Sequence, residues 1–255
     1  MSKLFLIAGT KGGIGKSYFA TFLIDIACKN NFHVHVFDAD EENRTLSHLY
    51  EGASGIEIHQ IVRHGVDYPL DFIGNVIAES EGKTVADEAG NHIYVVDMKA
   101  GTSDEALNWI QAFPVDEVME WKVEIVIVGC FTSDVDSVVT FFPWTEKFLA
   151  KAQENKLKFL VVKNFYHGED FGFYNDNLQS VLEADLQSVV VTLMPLERLS
   201  HKLKLTKLSC GRILDAWKTT DQWSYMEQHR ARREFRQISE ALAPFFTLPA
   251  KGGKK

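Results

Sequence analysis

A glycine-rich loop between an apolar run and an amphipathic segment dominates the start of the chain. Lys3–Ala8 is apolar enough for a buried strand, residues 9–17 read Gly-Thr-Lys-Gly-Gly-Ile-Gly-Lys-Ser, and Lys16–Lys29 has helical periodicity. Glycines let the backbone turn tightly and aim successive N–H groups at an anion, and the N-terminus of the following helix adds about half a positive charge. This order of elements predicts a phosphate-binding loop and limits the fold to those that place a strand, a loop and a helix in succession.

The residue types within the loop predict a bound nucleoside triphosphate, ATP, together with Mg²⁺. The Lys16 ammonium can reach the β- and γ-phosphates, and the Ser17 hydroxyl can ligate the metal. Thr10 replaces a glycine of the standard Walker pattern, so the assignment depends on the strand before the loop and the helix after it. The alternative is an ordinary glycine turn before a chance Gly-Lys-Ser. The predicted nucleotide contacts are Thr10, Lys11, Gly12, Gly13, Ile14, Gly15, Lys16, Ser17 and Tyr18.

Strand-like and helix-like segments alternate along most of the chain, which predicts an α/β fold with a doubly wound, mostly parallel sheet of the P-loop NTPase type. The predicted strands are Lys3–Ala8, His33–Phe37, Ile93–Asp97, Glu124–Cys130, Lys158–Val162 and Val189–Met194. The predicted helices are Lys16–Lys29, Ser103–Gln111, Val135–Ala152, Tyr174–Glu183 and Gln222–Ala243. No linker-like composition divides the chain, so residues 1–243 are expected to form one domain, followed by a flexible basic tail over 244–255.

Carboxylates follow two of the predicted strands, where a parallel sheet gathers its ligand-binding loops. Asp38 and Asp40 come at the end of the second strand, and Asp97 ends the third. Carboxylates that face a triphosphate can hold Mg²⁺ or orient an attacking water, so Ser17, Asp38 and Asp97 form the predicted metal site. Gly101 lets a backbone N–H approach the γ-phosphate. A solvated loop that caps a helix is the alternative for the two carboxylates of the second strand.

A second lysine, Lys11, stands at the head of the loop and gives the pattern K-G-G-x-G-K-S. By this deviant Walker A loop the chain resembles the ParA/MinD superfamily of ATPases, in its plasmid-partition or conjugation-accessory branch. The resemblance implies that Lys11 reaches across a dimer interface to the partner's nucleotide. It also implies that Asp38 lies near Lys16 in the outer shell of the metal, and that Asp40 positions the hydrolytic water. Lys11, Lys16 and Asp40 are then the catalytic residues, whereas a surface lysine is the simpler alternative for Lys11.

The same resemblance places two later residues beside the adenine. Asn164 follows a predicted strand and matches the family's base-reading asparagine, and Pro195 matches a proline beside the base. An Asn amide can pair with the N6 and N7 edge of adenine, although Asn after a strand is also an ordinary turn former. The chain departs from the family pattern at Glu41, after the second Asp of the D-x-D motif, and at Lys99, which replaces a proline.

Charge is distributed unevenly along the chain, whose net charge is −8. From Arg198 onwards there are 13 Lys and Arg against 5 Asp and Glu, so the C-terminal quarter is basic and the remainder is acidic. Within it, Arg230, Arg232, Arg233 and Arg236 belong to a predicted helix and form a candidate surface for non-specific DNA. A solvated helix face is the alternative. Pro244 and Pro249 are expected to interrupt any helix near the end, which argues against membrane targeting.

Histidines and cysteines do not predict a metal centre. His33 and His35 alternate on one strand, but no third ligand is evident at suitable spacing, so both are expected to face solvent or a helix. The three cysteines are far apart and form no C-x-x-C pair, which predicts a reduced, cytoplasmic protein without an iron–sulfur or zinc cluster.

These features predict a switch ATPase that dimerises on binding ATP and hydrolyses it slowly, stimulated by an unidentified partner protein. Its expected role is the partition or positioning of plasmid DNA or of a large complex. Three alternatives remain at this point: a conjugative-transfer accessory ATPase, a biosynthetic ligase of the dethiobiotin or cobyrinate type, and a nucleotide-dependent scaffold without hydrolysis. The ligases generally lack a lysine equivalent to Lys11.

Overall fold

A single sheet forms the centre of the molecule, whose computed structural model describes residues 1–9, 11–39, 44–61, 68–83, 91–98, 115–194 and 223–246. Its strands are β1 (Lys3–Ala8), β2 (His33–Asp38), β3 (Ile56–Gln60), β4 (His92–Asp97), β5 (Glu124–Phe131), β6 (Leu157–Asn164) and β7 (Val189–Leu193). All neighbouring strands run parallel, in the order β3-β2-β4-β1-β5-β6-β7. The predicted doubly wound parallel sheet is therefore confirmed, with β1 at its centre.

The central strands are buried along nearly their whole length because helices cover both of their faces. Every residue of β1 is buried, and so is every residue of β4 and β5 after the first. All the strands predicted from apolar runs are present, with ends shifted by at most two residues. β3 was not predicted, since this edge strand carries Glu57 and His59 between its isoleucines and so lacks a continuous apolar run.

The helices of the described chain pack on both faces of the sheet. They are α1 (Lys16–Lys29), α2 (Thr45–Tyr50), α3 (Tyr68–Lys83), α4 (Val115–Glu120), α5 (Val135–Val139), α6 (Phe142–Gln153), α7 (Gly172–Tyr174) and α8 (Tyr225–Phe246), with a π-helical segment over Asn175–Asp185. One core lies between the sheet, α1 and α8, and the second lies between the sheet, α3 and α6. None of these helices combines the length and the apolar character that crossing a bilayer requires.

Two predicted helices differ from the observed ones. The predicted helix Val135–Ala152 is wrong as a single element, because it divides into α5 and α6 where Pro143 occupies the first turn of α6. Proline has no N–H to continue the preceding helix, and it fits the first turn of a new one. The predicted helix Tyr174–Glu183 corresponds mainly to the π-helical segment. The predicted helix Ser103–Gln111 lies outside the described residues.

The last helix continues further than its proline suggests. α8 passes through Pro244 and ends at Phe246, so the expectation that Pro244 interrupts it is wrong. Phe245 and Phe246 are buried, with ring centroids 5.6 and 6.3 Å from the ring of Phe5 on β1. Burying two phenylalanines contributes roughly 3–6 kcal/mol, which offsets the cost of about 3 kcal/mol for a proline inside a helix.

Histidines gather on the sheet face that carries α3. His33 is exposed as expected, whereas His35 is buried between His59 and His92. Burial, with the neighbouring imidazoles, lowers the pKa of His35 to about 3, so its ring is neutral at physiological pH. β3 brings Glu57 and His59 beside His35, two potential ligands that spacing along the sequence did not indicate, whereas His33 is not part of this group.

Candidate nucleotide-binding site

The glycine-rich loop lies at the carboxyl end of β1, in the middle of the sheet. Gly15 adopts φ 97° and forms the N-cap of α1, a conformation that side chains other than glycine rarely take. A Cβ at this position would lie only 2.5 Å from Nδ2 of Asn164. Gly13 also has positive φ, but a Cβ there would meet open space. Three glycines of the loop, Gly9, Gly13 and Gly15, therefore have positive φ, and of the three an added Cβ would be most crowded at Gly15.

Lys16 is the first residue of α1 and folds back over the loop. Its Nζ donates a hydrogen bond of 2.9 Å to the carbonyl oxygen of Lys11, and the residue is only 6% exposed. The ammonium is thus held above the concave side of the loop by the loop's own backbone. A phosphate bound there would exchange a neutral carbonyl acceptor for a charged one, and hydrogen bonds between charged groups are about twice as strong.

Two buried carboxylates lie next to the loop on neighbouring strands. The register of β2 and β4 pairs Asp38 with Asp97, and the register of β1 and β4 pairs Ile7 with Asp97. Asp38 Oδ2 accepts a 2.9 Å hydrogen bond from the backbone N–H of Ser47, which fixes this carboxylate against the first turn of α2. Adjacent buried carboxylates at strand ends are oxygen ligands of the kind that Mg²⁺ prefers. The residues present therefore fit the predicted metal.

Lys11 is paired within its own chain. Its Nζ lies 3.0 Å from Asp134 Oδ2 and 3.0 Å from Asp136 Oδ2, two residues that follow β5. Hydrogen bonds to these carboxylates raise the pKa of Lys11 and keep it charged. The side chains of all three residues are a third or more exposed, so the contacts are open to competition from solvent and from ligands. Sequence reasoning missed both aspartates, although Asp134 is a typical N-cap residue and caps α5.

The loop that follows β6 supports the glycine-rich loop from the other side. Asn164 is buried, and its Nδ2 donates a 3.0 Å hydrogen bond to the carbonyl of Ile14. Its Oδ1 accepts from the N–H of Tyr166, and a ring nitrogen of His167 lies 3.1 Å from the carbonyl of Gly13. Both ends of the Asn164 amide are thus used within the protein. Its predicted contact with adenine stays a prediction.

The remaining predicted contacts divide into three groups. Ser17 is half-buried at the first turn of α1 beside Lys16, while Gly12 is exposed and Ile14 is buried. The ring of Tyr18 packs edge-on against Phe22, with centroids 5.1 Å apart, so a contact with nucleotide would fall to its backbone N–H. The predicted residues that lie outside the described chain are Thr10, Asp40, Gly101 and Pro195.

The site thus combines a glycine-rich loop with one held ammonium and two buried carboxylates at the carboxyl ends of neighbouring strands. A family model described as "CobQ/CobB/MinD/ParA nucleotide binding domain" matches residues 5–209. The chain belongs to this CobQ/CobB/MinD/ParA family. The predicted resemblance to ParA and MinD ATPases is therefore confirmed at the level of the family. No curated protein sequence matches the chain.

Solved structures of ParA- and MinD-type proteins share the fold. MinD in the MinC:MinD complex of Aquifex aeolicus has a TM-score of 0.54 at 11% identity, with 98% of each chain covered. MinD of Pyrococcus horikoshii with Mg-ADP has a TM-score of 0.53 at 16% identity, covering 98% of this chain and 100% of that one. A plasmid partition protein of Borrelia burgdorferi bound to AMPPNP gives 0.52 at 13% identity, covering 96% and 100%. At these identities the similarity establishes the fold alone.

The basic residues of α8 lie on its solvent face. Arg230, Arg232, Arg233 and Arg236 are all exposed. The opposite face of the helix is buried in the core that it shares with α1 and includes Phe235 and Ile238. Glu234 is also buried and accepts a 2.9 Å hydrogen bond from the N–H of Met194 at the end of β7. The arginine face is thus presented by a helix that is fixed to the sheet.

Proposed function

We propose that the protein is an ATP-dependent switch that binds ATP and Mg²⁺ at the loop of residues 9–17 and hydrolyses ATP between two dimerised subunits. The observation that carries this proposal is the Lys16 ammonium, which the backbone of the loop itself holds. The buried carboxylates of Asp38 and Asp97 lie paired at the ends of neighbouring strands. These groups suit a triphosphate and a divalent cation together.

Each group in the site has a distinct task in this proposal. The loop amides and Lys16 bind the β- and γ-phosphates, and the Ser17 hydroxyl with the carboxylates of Asp38 and Asp97 holds the cation. When bound, Mg²⁺ neutralises part of the phosphate charge. Asp40, which follows β2, is proposed to orient the attacking water. Positioning and electrostatic stabilisation are the main contributions that a protein makes to phosphoryl transfer.

Dimerisation is proposed to depend on an exchange of partners by Lys11. In the single chain its ammonium contacts Asp134 and Asp136, and ion pairs as exposed as these contribute little to stability. A triphosphate on a facing subunit carries more charge than the two carboxylates. Binding of ATP would therefore draw Lys11 from its own chain to the partner's nucleotide and close the dimer.

The proposed role of the switch is to position plasmid DNA or a large complex. Family membership supports a ParA- or MinD-type activity, and the structural neighbours include a plasmid partition protein and a MinC:MinD complex. The exposed arginine face of α8 adds a surface that can neutralise phosphates without reading base sequence. A partner protein that stimulates hydrolysis is part of this proposal, since a switch needs a release signal.

The first experiment tests the loop by calorimetric titration with Mg-ATP. Lys16→Ala is expected to abolish binding, because the variant loses the only ammonium held over the loop in the described part of the chain. Lys29→Ala, at the far end of the same helix, is the matched control and should bind ATP as the wild type does. Unchanged ATP affinity in Lys16→Ala would overturn the proposal.

The second experiment measures turnover and DNA binding. ATP hydrolysis is assayed with and without double-stranded DNA at two salt concentrations, for the wild type and for Arg232→Ala/Arg236→Ala. Loss of two phosphate contacts should reduce the dependence of log K on log salt by about 1.8. Absence of DNA binding would reject the DNA role while leaving the ATPase intact, and product formation with an organic carboxylate would indicate a ligase instead.

A further inference from the structure

Three strands bring histidines together on the face of the sheet that carries α3. The register pairs His35 on β2 with Glu57 on β3, Phe37 with His59, and His33 with His92 on β4. Because side chains alternate along a strand, these residues all lie on one face. We name His35, Glu57, His59 and His92 the histidine cluster. It is separate from the glycine-rich loop, which lies beyond the carboxyl ends of the strands.

The spacing of three ligand atoms in the cluster fits a tetrahedral metal ion. His35 Nδ1 lies 3.3 Å from His59 Nε2 and 3.5 Å from Glu57 Oε2, and the three ligand atoms all lie within 4.8 Å of one another. Zinc bonds of about 2.0–2.2 Å at tetrahedral angles place neighbouring ligand atoms roughly 3.3–3.6 Å apart. The two distances from His35 Nδ1 thus match the separations that such an ion requires, and the third pair lies within 4.8 Å.

His92 completes the arrangement behind His35. His35 Nε2 lies 3.0 Å from His92 Nδ1. A histidine that ligates a metal through one ring nitrogen almost always donates the N–H of the other to a neighbouring acceptor, which fixes its tautomer and orientation. With Nδ1 directed at the metal, Nε2–H of His35 would donate to His92. His92 is thus a positioning residue for the ligand.

The cluster also provides both rigidity and access. His35 is 3% exposed and stacks on Tyr94, with ring centroids 4.9 Å apart, so its orientation is fixed. The Glu57 side chain is 71% exposed and can close over an ion that arrives from solvent. Two imidazoles with one carboxylate differ from the all-oxygen set that Mg²⁺ prefers, and they match zinc sites with three protein ligands and one open position.

We propose that His35, Glu57 and His59 bind one Zn²⁺ ion, with water in the fourth position and His92 orienting His35. The ion ties the edge strand β3 to β2, three residues before Asp38. It thereby stabilises the part of the sheet from which the Asp38 carboxylate extends towards the nucleotide loop.

The test uses the full chain without an affinity tag, treated with chelator and free of nucleotide. Zn²⁺ alone is titrated calorimetrically, and Co²⁺ replaces it for a visible spectrum. The expected results are one ion per chain and the intense visible bands of tetrahedral Co²⁺. His59→Gln and Glu57→Gln should each weaken binding at least tenfold, and His92→Phe should weaken it by about 10- to 100-fold. His48→Gln, an exposed histidine on α2, is the control and should bind as the wild type does.

Two results would overturn the proposal. One is the absence of stoichiometric binding by a wild-type chain that melts cooperatively, which would leave the cluster as a hydrogen-bonded chain of neutral imidazoles. The other is binding that His59→Gln and Glu57→Gln do not weaken, which would place the ion elsewhere. Glu57 is exposed on an edge strand, so its variant keeps the test valid if a histidine variant fails to fold. Lys16→Ala should retain zinc binding, which separates this outcome from that of the nucleotide proposal.

Discussion

The Lys11 ammonium lies 3.0 Å from the Asp136 carboxylate; Lys11 belongs to the loop after β1, and Asp136 belongs to α5, which follows the neighbouring strand β5. The same ammonium cannot occupy this position and a partner's nucleotide at once. If Lys11 acts across a dimer, as proposed, the two contacts compete. The strength of the contact within the chain then sets part of the cost of dimerisation.

Asp136→Asn is therefore expected to favour the dimer. It removes one carboxylate from Lys11 but leaves the Asp134 side chain, which caps α5, in place. Exposed ion pairs are weak, but both subunits of the dimer carry the change, so the dimer dissociation constant should fall severalfold. Sedimentation with a non-hydrolysable ATP analogue measures this change. Asp176→Asn, an exposed acid of the π-helical segment, matches the charge change, and equal effects of the two variants would contradict the competition.

Gly15→Ala is expected to destabilise the protein and to disrupt the loop. A left-handed alanine costs roughly 1–2 kcal/mol, and the added Cβ would also meet Nδ2 of Asn164 at 2.5 Å. Gly52→Ala is the control, since Gly52 also has positive φ but a Cβ there would meet nothing within 4 Å. Urea denaturation should show a larger loss for Gly15→Ala than for Gly52→Ala. Equal losses of unfolding free energy in the two variants would mean that the Asn164 side chain moves away from the added Cβ at no cost.

Asn164→Ala separates a supporting role from a base-reading role. The variant removes the donor to the Ile14 carbonyl and the acceptor of the Tyr166 N–H, so the free energy of unfolding should fall by about 1–3 kcal/mol. Asn177→Ala removes an exposed side-chain hydrogen bond to Phe173 and should cost less. Unchanged stability with a loss of preference for ATP over GTP would assign Asn164 to the base alone.

Glu234 is expected to make stability depend on pH. Burial raises the pKa of this carboxyl to about 7, from 4.5 in the unfolded chain. The folded state therefore binds more protons between these values, and the free energy of unfolding should fall as the pH rises through this range. Glu234→Gln keeps an acceptor for the Met194 N–H and cannot ionise. Relative to wild type, this variant should gain about 2–3 kcal/mol between pH 5 and pH 8 in urea denaturation. If the free energies of unfolding of the wild type and Glu234→Gln changed with pH in parallel, the raised pKa of Glu234 would be contradicted.

Much of the fold could be predicted from local pattern. α1 occupies the predicted residues, since a glycine loop fixes its start and its apolar positions are unbroken. β3 escaped prediction because an edge strand alternates polar and apolar residues over only five positions. The prediction that Pro244 interrupts the last helix was wrong for a different reason. A rule about local backbone chemistry was overridden by the burial of Phe245 and Phe246 in a distant part of the core.

The candidate site was predictable for those residues whose position follows from the end of a strand or the start of a helix. Asp38 and Asp97 end neighbouring strands and Lys16 begins the helix after β1, so the parallel topology alone places all three at the same edge of the sheet. The contact of Lys11 with Asp136 joins residues 125 positions apart, and no periodicity reports it. The histidine cluster was missed for the same reason, because two of its three proposed ligands, Glu57 and His59, lie on a strand that had not been predicted.

The contact between Phe5 and the last turn of α8 has a consequence for synthesis of the protein. The central strand β1 leaves the ribosome long before the phenylalanines that cover it. Contacts between such distant positions form late and slow folding. During translation one apolar face of β1 therefore stays uncovered until the last turn of α8 has been synthesised. In that interval the nascent chain is most exposed to misassembly or to capture by chaperones.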